Sequence, residues 1–276
     1  MNYRLSGDYF EYSIVVYLQS IGIKHYNLYT DEKSKKLSSK YEFSSIGKRL
    51  SQQKKISLAI LRILNKEENI LSYELNNDNC GKKGDSTDII IHTNIRDIKI
   101  SCKVNNFSIK HQRPSSLPSQ LNMDSILSKQ YILEYKKLND GYYQQLKEKV
   151  QFNKIAKSCI FKMYNNFNTL VAKYLSQCTL SNIEYFIQFI TSCERNKFIF
   201  QWSDKTNCII VIRLAVLNKI PINISVTGNY LVMYFDNGIE ITMRLHTASS
   251  KITKTLSLKY DTKFNNILGL FNNFTI

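Results

Sequence analysis

Thr87-Asp88-Ile89-Ile90-Ile91 and Ile98-Lys99-Ile100-Ser101-Cys102-Lys103 are short β-branched runs joined by the polar stretch from His92 to Asp97. Two such runs so close together read as an antiparallel hairpin. It carries a carboxylate, Asp88, on one strand and an amine, Lys103, at the end of the next. A carboxylate can bind a divalent cation, and a nearby lysine can orient or deprotonate the water that attacks phosphorus. An Asp followed at some distance by a Lys is common in proteins, so the surroundings matter. Val104-Asn105-Asn106-Phe107-Ser108-Ile109-Lys110-His111-Gln112-Arg113-Pro114 sets amide, basic and imidazole groups directly beyond the lysine. A lysine that ends a buried strand must also find a carboxylate or leave the sheet.

A chain of 276 residues with 43% hydrophobic content can bury a substantial core, as one large domain or two coupled ones. It contains no run of about 18 apolar residues, so no membrane association is expected. Met1 to Asp8 lacks the basic segment, apolar block and small-residue cleavage site of a secretory signal, and the expected location is cytoplasmic. Cys80, Cys102, Cys159, Cys178, Cys193 and Cys208 are scattered without a CxxC pair, which reads as reduced, mostly buried thiols rather than disulfides or zinc ligands. The formal net charge of +16 favours a polyanionic partner, although the wealth of Asn, Ile, Lys and Tyr also matches an AT-rich coding sequence. Lys33, Lys35, Lys36, Lys40, Lys48, Arg49, Lys54 and Lys55, then Lys136, Lys137, Lys147 and Lys149, are dispersed as on a charged concave surface, unlike a basic tail.

Working outward from the hairpin, residues 6 to 21 predict a helix capped by Ser6 and stopped by Gly22, with Phe10, Ile14, Tyr17, Leu18 and Ile21 at helical spacing. A second helix is expected over 44 to 66. Pro114 and Pro118 mark a loop, and 119 to 195 reads as helical. After Asn207 strands are expected at Ile209 to Leu214, Tyr230 to Phe235 and Ile239 to Leu245, the last two flanking an Asp236-Asn237-Gly238 turn. These readings divide the chain into 1–118 with the hairpin, a helical region 119–205 and a β-rich region 206–276, together forming one compact unit.

Three segments carry a family resemblance. They are Gly7-Asp8-Tyr9-Phe10-Glu11-Tyr12; Gly81-Lys82-Lys83-Gly84-Asp85-Ser86-Thr87-Asp88 with the strand ending in Lys103 and with Lys110-His111-Gln112-Arg113; and Met243-Arg244-Leu245-His246-Thr247-Ala248-Ser249-Ser250 followed by Leu256 to Asp261. Together they resemble the HaeIII-type restriction endonucleases, a branch of the PD-(D/E)XK nucleases. The resemblance implies an α/β fold with a mixed central sheet flanked by helices, a helical insertion and a C-terminal β-rich portion. It implies that Asp88 binds metal, that Lys103 is the motif lysine, and that Ser101 stands where the motif usually has Asp or Glu. Glu11 is the candidate replacement carboxylate, and the Cys102 carbonyl a further oxygen for a near-octahedral Mg²⁺ site.

Duller readings stand beside these. Glu11 can be a solvent-facing charge, Asp85 competes with Asp88 or sits in a turn, and Ser101 can be a small strand residue. Asn105, Asn106, Lys110, His111 and Arg113 are either a solvated loop or contacts to phosphates and guanine edges. Arg244, His246, Thr247, Ser249 and Ser250 are either a hydrogen-bonded turn or a second DNA-contacting edge. The expected function is a Mg²⁺-dependent type II restriction endonuclease acting on double-stranded DNA as a homodimer. The resemblance also implies a short GC-rich palindrome such as GGCC and a cognate DNA methyltransferase. The alternatives are a catalytically decayed DNA-binding protein of the same fold and a repair or structure-specific nuclease.

Overall fold

A computed structural model describes residues 3–26, 32–35, 37–38, 46–76, 87–105, 110–191, 197–213, 221–236, 238, 240–265 and 274–275. The strands are β1 (Lys24–His25), β2 (Ile70–Leu75), β3 (Ile89–Thr93), β4 (Asp97–Val104), β5 (Lys110–Gln112), β6 (Lys197–Ser203), β7 (Cys208–Arg213), β8 (Asn223–Thr227), β9 (Tyr230–Tyr234), β10 (Glu240–Thr247), β11 (Leu258–Asn265) and β12 (Phe274–Thr275). The helices are α1 (Tyr3–Ser20), α2 (Ile46–Ile63), α3 (Leu117–Gln120), α4 (Ser125–Leu146), α5 (Lys157–Leu175) and α6 (Leu180–Thr191). The expected mixed α/β architecture is therefore present. Its compact units are discontinuous in sequence: Met1–Phe107 with Ser192–Val216 and Leu270–Ile276, and Ser108–Thr191 with Leu217–Gly269. Among the described residues, no helix is long and apolar enough to cross a membrane.

The first unit is built on a seven-stranded mixed sheet in the order β1-β2-β3-β4-β6-β7-β12. The hairpin read from the sequence is its centre: β3 and β4 pair antiparallel, with Ile89 opposite Ile100 and Ile91 opposite Ile98. β4 then pairs in parallel with β6, Lys103 lying beside Gln201. Parallel neighbours need a long crossover, and here the chain between them includes residues 108–191 of the second unit. Alternation along the hairpin sends Ile89, Ile91, Ile98 and Ile100 to one face. Phe10, Ile14, Val15 and Leu18 of α1 and Ile56, Ala59 and Ile60 of α2 bury themselves in the same core. The two helices also share a buried hydrogen bond from Ser13 Oγ to Gln52 Oε1, 3.0 Å.

α1 ends where glycine permits it. Gly22 has φ +82, its N–H donates to Gln19 O at 3.0 Å, and the Ile23 N–H donates to Leu18 O at 3.0 Å. This is the Schellman pattern, which satisfies carbonyls that the helix leaves open. The start differs from expectation: the helix begins at Tyr3, so Ser6 lies inside it and is not the cap.

The turn that closes the hairpin is anchored by a buried carboxylate. Glu68 Oε1 accepts from Arg96 Nε at 2.8 Å and from Thr93 Oγ1 at 2.8 Å, while Oε2 accepts from Arg96 Nη2 at 3.0 Å and from the Asn65 N–H at 3.0 Å. Arg96 Nη2 also donates to Ile63 O at the end of α2, 2.9 Å. The two-pronged bond from Arg96 holds the Glu68 carboxyl at about 2, well below its usual range. One ion pair thus ties the tip of β3 and β4 to the helix that packs beneath them.

The second unit has a five-stranded antiparallel sheet in the order β5-β11-β10-β9-β8. Leu231, Met233, Ile241, Met243, Leu245, Leu258 and Tyr260 alternate onto its buried face, against which α5 packs. Buried polar groups there are paired: Tyr260 Oη donates to Asn168 Oδ1 at 2.7 Å, and Asn168 Nδ2 donates to Gly228 O at 3.1 Å. Asn139 bridges Lys254 O and the Leu256 N–H at 2.8 and 3.0 Å.

Several expectations need correction. Pro114 and Pro118 do not mark an open loop: Pro114 starts a short 3-10 turn and Pro118 lies in the first turn of α3, where a missing N–H costs nothing. As far as Thr191, the helical text read over 119–195 is the end of α3 followed by α4, α5 and α6, with breaks at 121–124, 147–156 and 176–179. β6 was not anticipated at all. Of the four described cysteines, Cys102, Cys178 and Cys208 are half-buried and Cys159 is exposed, all as free thiols.

Candidate active site

Asp88 directly precedes β3 and continues its pairing with β2. Its N–H donates to Ile100 O at 2.9 Å, and its carbonyl accepts from the Asn76 N–H at 2.9 Å. With Ile89 opposite Ile100, that bond to the Ile100 carbonyl falls one residue out of the β3–β4 register, so the regular ladder ends at Ile89. Lys103 exerts the strongest favourable charge on Asp88, which brings the two groups to one site, and Ser101 lies two residues before Lys103 on the same face of β4. Asp88 Oδ2 accepts the Cys102 N–H at 2.6 Å, which fixes the carboxylate against the strand that carries the lysine.

Electrostatics bring a third segment into the site. Burial pushes the Asp88 carboxyl up, opposed most strongly by the charge of Lys103, then by the Cys102 N–H and by Lys33 and Lys197. Glu11 of α1 is 8% exposed. Burial and the adjacent Asp88 charge push its carboxyl up to about 7, against the pull of Lys33. Glu11 is therefore not the solvent-facing charge of the duller reading. A buried carboxyl whose proton affinity is raised by a second buried carboxylate marks a site where negative charge is under-compensated.

Two lysines in this cluster were not singled out from the sequence. Lys33 Nζ lies 2.8 Å from Glu11 Oε1 and donates to Asn76 O at 2.9 Å. Nothing in the local text of Lys33 signals this, because its partners are distant in sequence. Lys197 opens β6 and is 1% exposed. Its signal was present: like Lys103, it adjoins an apolar run, Phe198-Ile199-Phe200.

Asp88 and Glu11 offer hard carboxylate oxygens, and the Cys102 carbonyl is an oxygen donor of the same kind. That chemistry fits Mg²⁺, which binds through one or two carboxylates and fills its remaining positions with water and phosphate. Among the described residues no group of three or more His, Cys, Asp or Glu side chains has an arrangement that could hold a metal ion by itself. The Cys102 thiol is pushed well up by burial and by Asp88 and Glu11, so it stays protonated and only its backbone is available.

The remaining candidates separate into two groups. Asn105 is held in a left-handed conformation, φ 53, with Nδ2 donating to Asp204 Oδ2 at 2.8 Å and Oδ1 accepting the Asp204 N–H at 2.9 Å. Both ends of its amide serve the loop. Asn106 and Asp85 lie outside the described residues. In the second unit, Ser249 Oγ accepts the Lys251 N–H at 3.1 Å, Ser250 O accepts the Phe152 N–H at 3.0 Å, and the Thr247 N–H donates to Tyr164 Oη at 3.1 Å. Those contacts are those of a hydrogen-bonded turn. Arg113 Nη1 donates to Ser257 Oγ at 3.4 Å, and Lys110 contributes backbone to β5. His111, Arg244 and His246, by contrast, converge on one carboxylate, Asp261, at 2.7, 2.8 and 3.1 Å. Asp261 was quoted in the third segment without a role.

No family model and no solved structure matches this chain. Among curated proteins, the Type II restriction enzyme HaeIII of Haemophilus aegyptius is 28% identical, across 89% of this chain and 86% of that enzyme. The chain is HaeIII-like. A match of that extent takes in both compact units, and it bears out the HaeIII-type resemblance read from the residues.

Proposed function

We propose that the chain is a type II site-specific deoxyribonuclease that hydrolyses phosphodiester bonds in double-stranded DNA with Mg²⁺. The observation that carries this reading is the Asp88 carboxylate, held by the Cys102 N–H on the strand of Lys103, with Lys103 as its strongest favourable charge and the buried carboxylate of Glu11 beside it. Asp88 and Glu11 would hold the metal, with the Cys102 carbonyl as a further oxygen. Bound there, Mg²⁺ supplies a polarised phosphate and a more acidic water. Lys103 Nζ orients the attacking water against phosphorus and offsets charge on the phosphate oxygens. Lys33 and Lys197 keep the carboxylate pair ionised enough to accept a cation.

A homodimer would present two such sites to a palindrome, because two-fold protein symmetry matches two-fold sequence symmetry. A short GC-rich target such as GGCC, and a partner methyltransferase that marks it, belong to the same proposal. The test is digestion of a sequenced plasmid with Mg²⁺ and mapping of the fragment ends. Discrete fragments sharing one end sequence are expected; smears, or intact plasmid, would overturn the reading.

One observation favours the alternative of a DNA binder without chemistry: Ser101 occupies the usual carboxylate position of the motif. The cation itself separates the two. If Asp88 and Glu11 bind it, Mg²⁺ at about 100 times its Kd raises folding stability by about 2.7 kcal/mol. The shift should be visible as a higher Tm without DNA, and absent in Asp88→Asn. An equal shift in both proteins would remove the metal from this site.

A further inference from the structure

On the open face of the five-stranded sheet, the cross-strand register aligns Arg244 with Asp261 and Asp261 with His111, across three adjacent strands. Asp261 Oδ1 lies 2.7 Å from His111 Nδ1 and 3.1 Å from His246 Nε2, and Oδ2 accepts from Arg244 Nη2 at 2.8 Å. The carboxylate is recessed and its partners stand above it: side-chain exposure is 13% for Asp261 against 52% for His111 and 48% for Arg244. Against the cost of its burial, the bonds from His111, His246 and Arg244 hold the Asp261 carboxyl far below the usual range. It therefore remains an anion at any working pH.

A carboxylate at the centre of a basic cluster is the wrong device for gripping phosphates, whose charge it repels and whose cations it neutralises. It is the right device for holding a guanidinium at a fixed angle. Arg244 gives one nitrogen to Asp261, and among the described residues its Nε and Nη1 make no other hydrogen bond. A guanidinium edge fixed this way matches the paired O6 and N7 acceptors of guanine. Lys259 and Lys263 alternate onto the same face from β11, two residues either side of Asp261, and supply point charges suited to phosphates.

We propose that Asp261 is the positioning residue of a base-reading surface, where, braced by the recessed His246, it holds Arg244 and His111 side by side so that they meet nucleobase edges in the major groove. The proposal rests on the reading of the chain as a nuclease of double-stranded DNA. It assigns sequence discrimination to this face and to Asp261, which itself touches no base.

The experiment compares wild type, Asp261→Asn, Asp261→Glu and Arg244→Lys, with Ca²⁺ replacing Mg²⁺ so that DNA is bound and not cut. Fluorescence anisotropy is measured on a duplex containing the mapped cleavage site and on a scrambled duplex of equal composition. Loss of one well-formed base contact predicts a 5- to 150-fold weaker Kd on the site duplex, roughly, for Asp261→Asn and Arg244→Lys. Binding to the scrambled duplex should change less than twofold, and Asp261→Glu should recover part of the preference. Lysine at 244 keeps the charge and the ion pair, so its effect reports the lost fork and not a lost fold. Equal weakening on both duplexes, or none on either, overturns the proposal while leaving the nuclease reading intact. A wild-type protein that fails to distinguish the duplexes, and yields no discrete plasmid fragments, overturns both.

Discussion

Lys103→Ala should lower the rate of DNA cleavage by about 10³-fold, the scale of a positioned group that acts on the attacking water. The fold should tolerate the change, because Lys103 is half-buried at the end of β4 and its backbone pairing with β6 does not depend on the side chain. Binding to the site duplex in Ca²⁺ should remain within a few-fold of wild type, roughly, since one charge is a small part of a polyanion contact. Single-turnover cleavage and anisotropy, measured on the same preparation, separate the two quantities. Cleavage that survives the substitution would remove Lys103 from the chemistry, whatever the hairpin looks like. The burial of Asp88 makes the result informative. Its strongest favourable charge is Lys103, so removing that charge also raises the proton affinity of Asp88 and weakens its hold on a cation.

Arg96→Ala should be the most destabilising surface-adjacent change in the first unit, at about 3–5 kcal/mol, because it leaves the Glu68 carboxylate buried without its partner. The Glu68 side chain is 0% exposed and that of Arg96 17%, so solvent cannot replace the lost bonds at Glu68. Chemical denaturation at neutral pH measures the loss. The same pair sets an acid signature. The folded-state pKa of Glu68 is depressed from 4.5 to about 2. Its contribution is therefore complete above the unfolded value and disappears as pH falls towards 2, on the order of 3 kcal/mol in all. In Arg96→Ala the slope of stability between those pH values should flatten. An unchanged slope would mean that other carboxylates carry the acid response.

How much of this was legible in the sequence depends on how local each signal is. The hairpin was, because two short β-branched runs joined by the polar stretch from His92 to Asp97 are a local pattern. The β9–β10 hairpin was too, where Gly238 takes a positive φ of 78 at the turn. β6 was not. Lys197-Phe198-Ile199-Phe200-Gln201-Trp202 is buried on both faces, so it shows no alternation, and a short apolar run beside a long helical stretch reads as more helix. β5, β8 and β11 were missed for a related reason: β5 is short, and β11 carries Lys259, Asp261 and Lys263 on its open face, a pattern that reads as a polar loop. At the site, Asp88, Lys103 and Glu11 came from motif text. Lys197 adjoins an apolar run as Lys103 does, a signal passed over because that run reads as helix, whereas Lys33 and Asp261 are pairings across distant segments, and pairing distance leaves no mark on the sequence around a residue.

The parallel neighbour of β4 lies almost a hundred positions downstream, across the whole crossover. During synthesis Lys103 therefore emerges from the ribosome long before Lys197, and the edge of its strand stays open until β6 arrives. A nascent nuclease of this design would stay disarmed while most of its length is being made. Proteolytic nicking before Lys197 should leave the cell with fragments that cannot cut its chromosome.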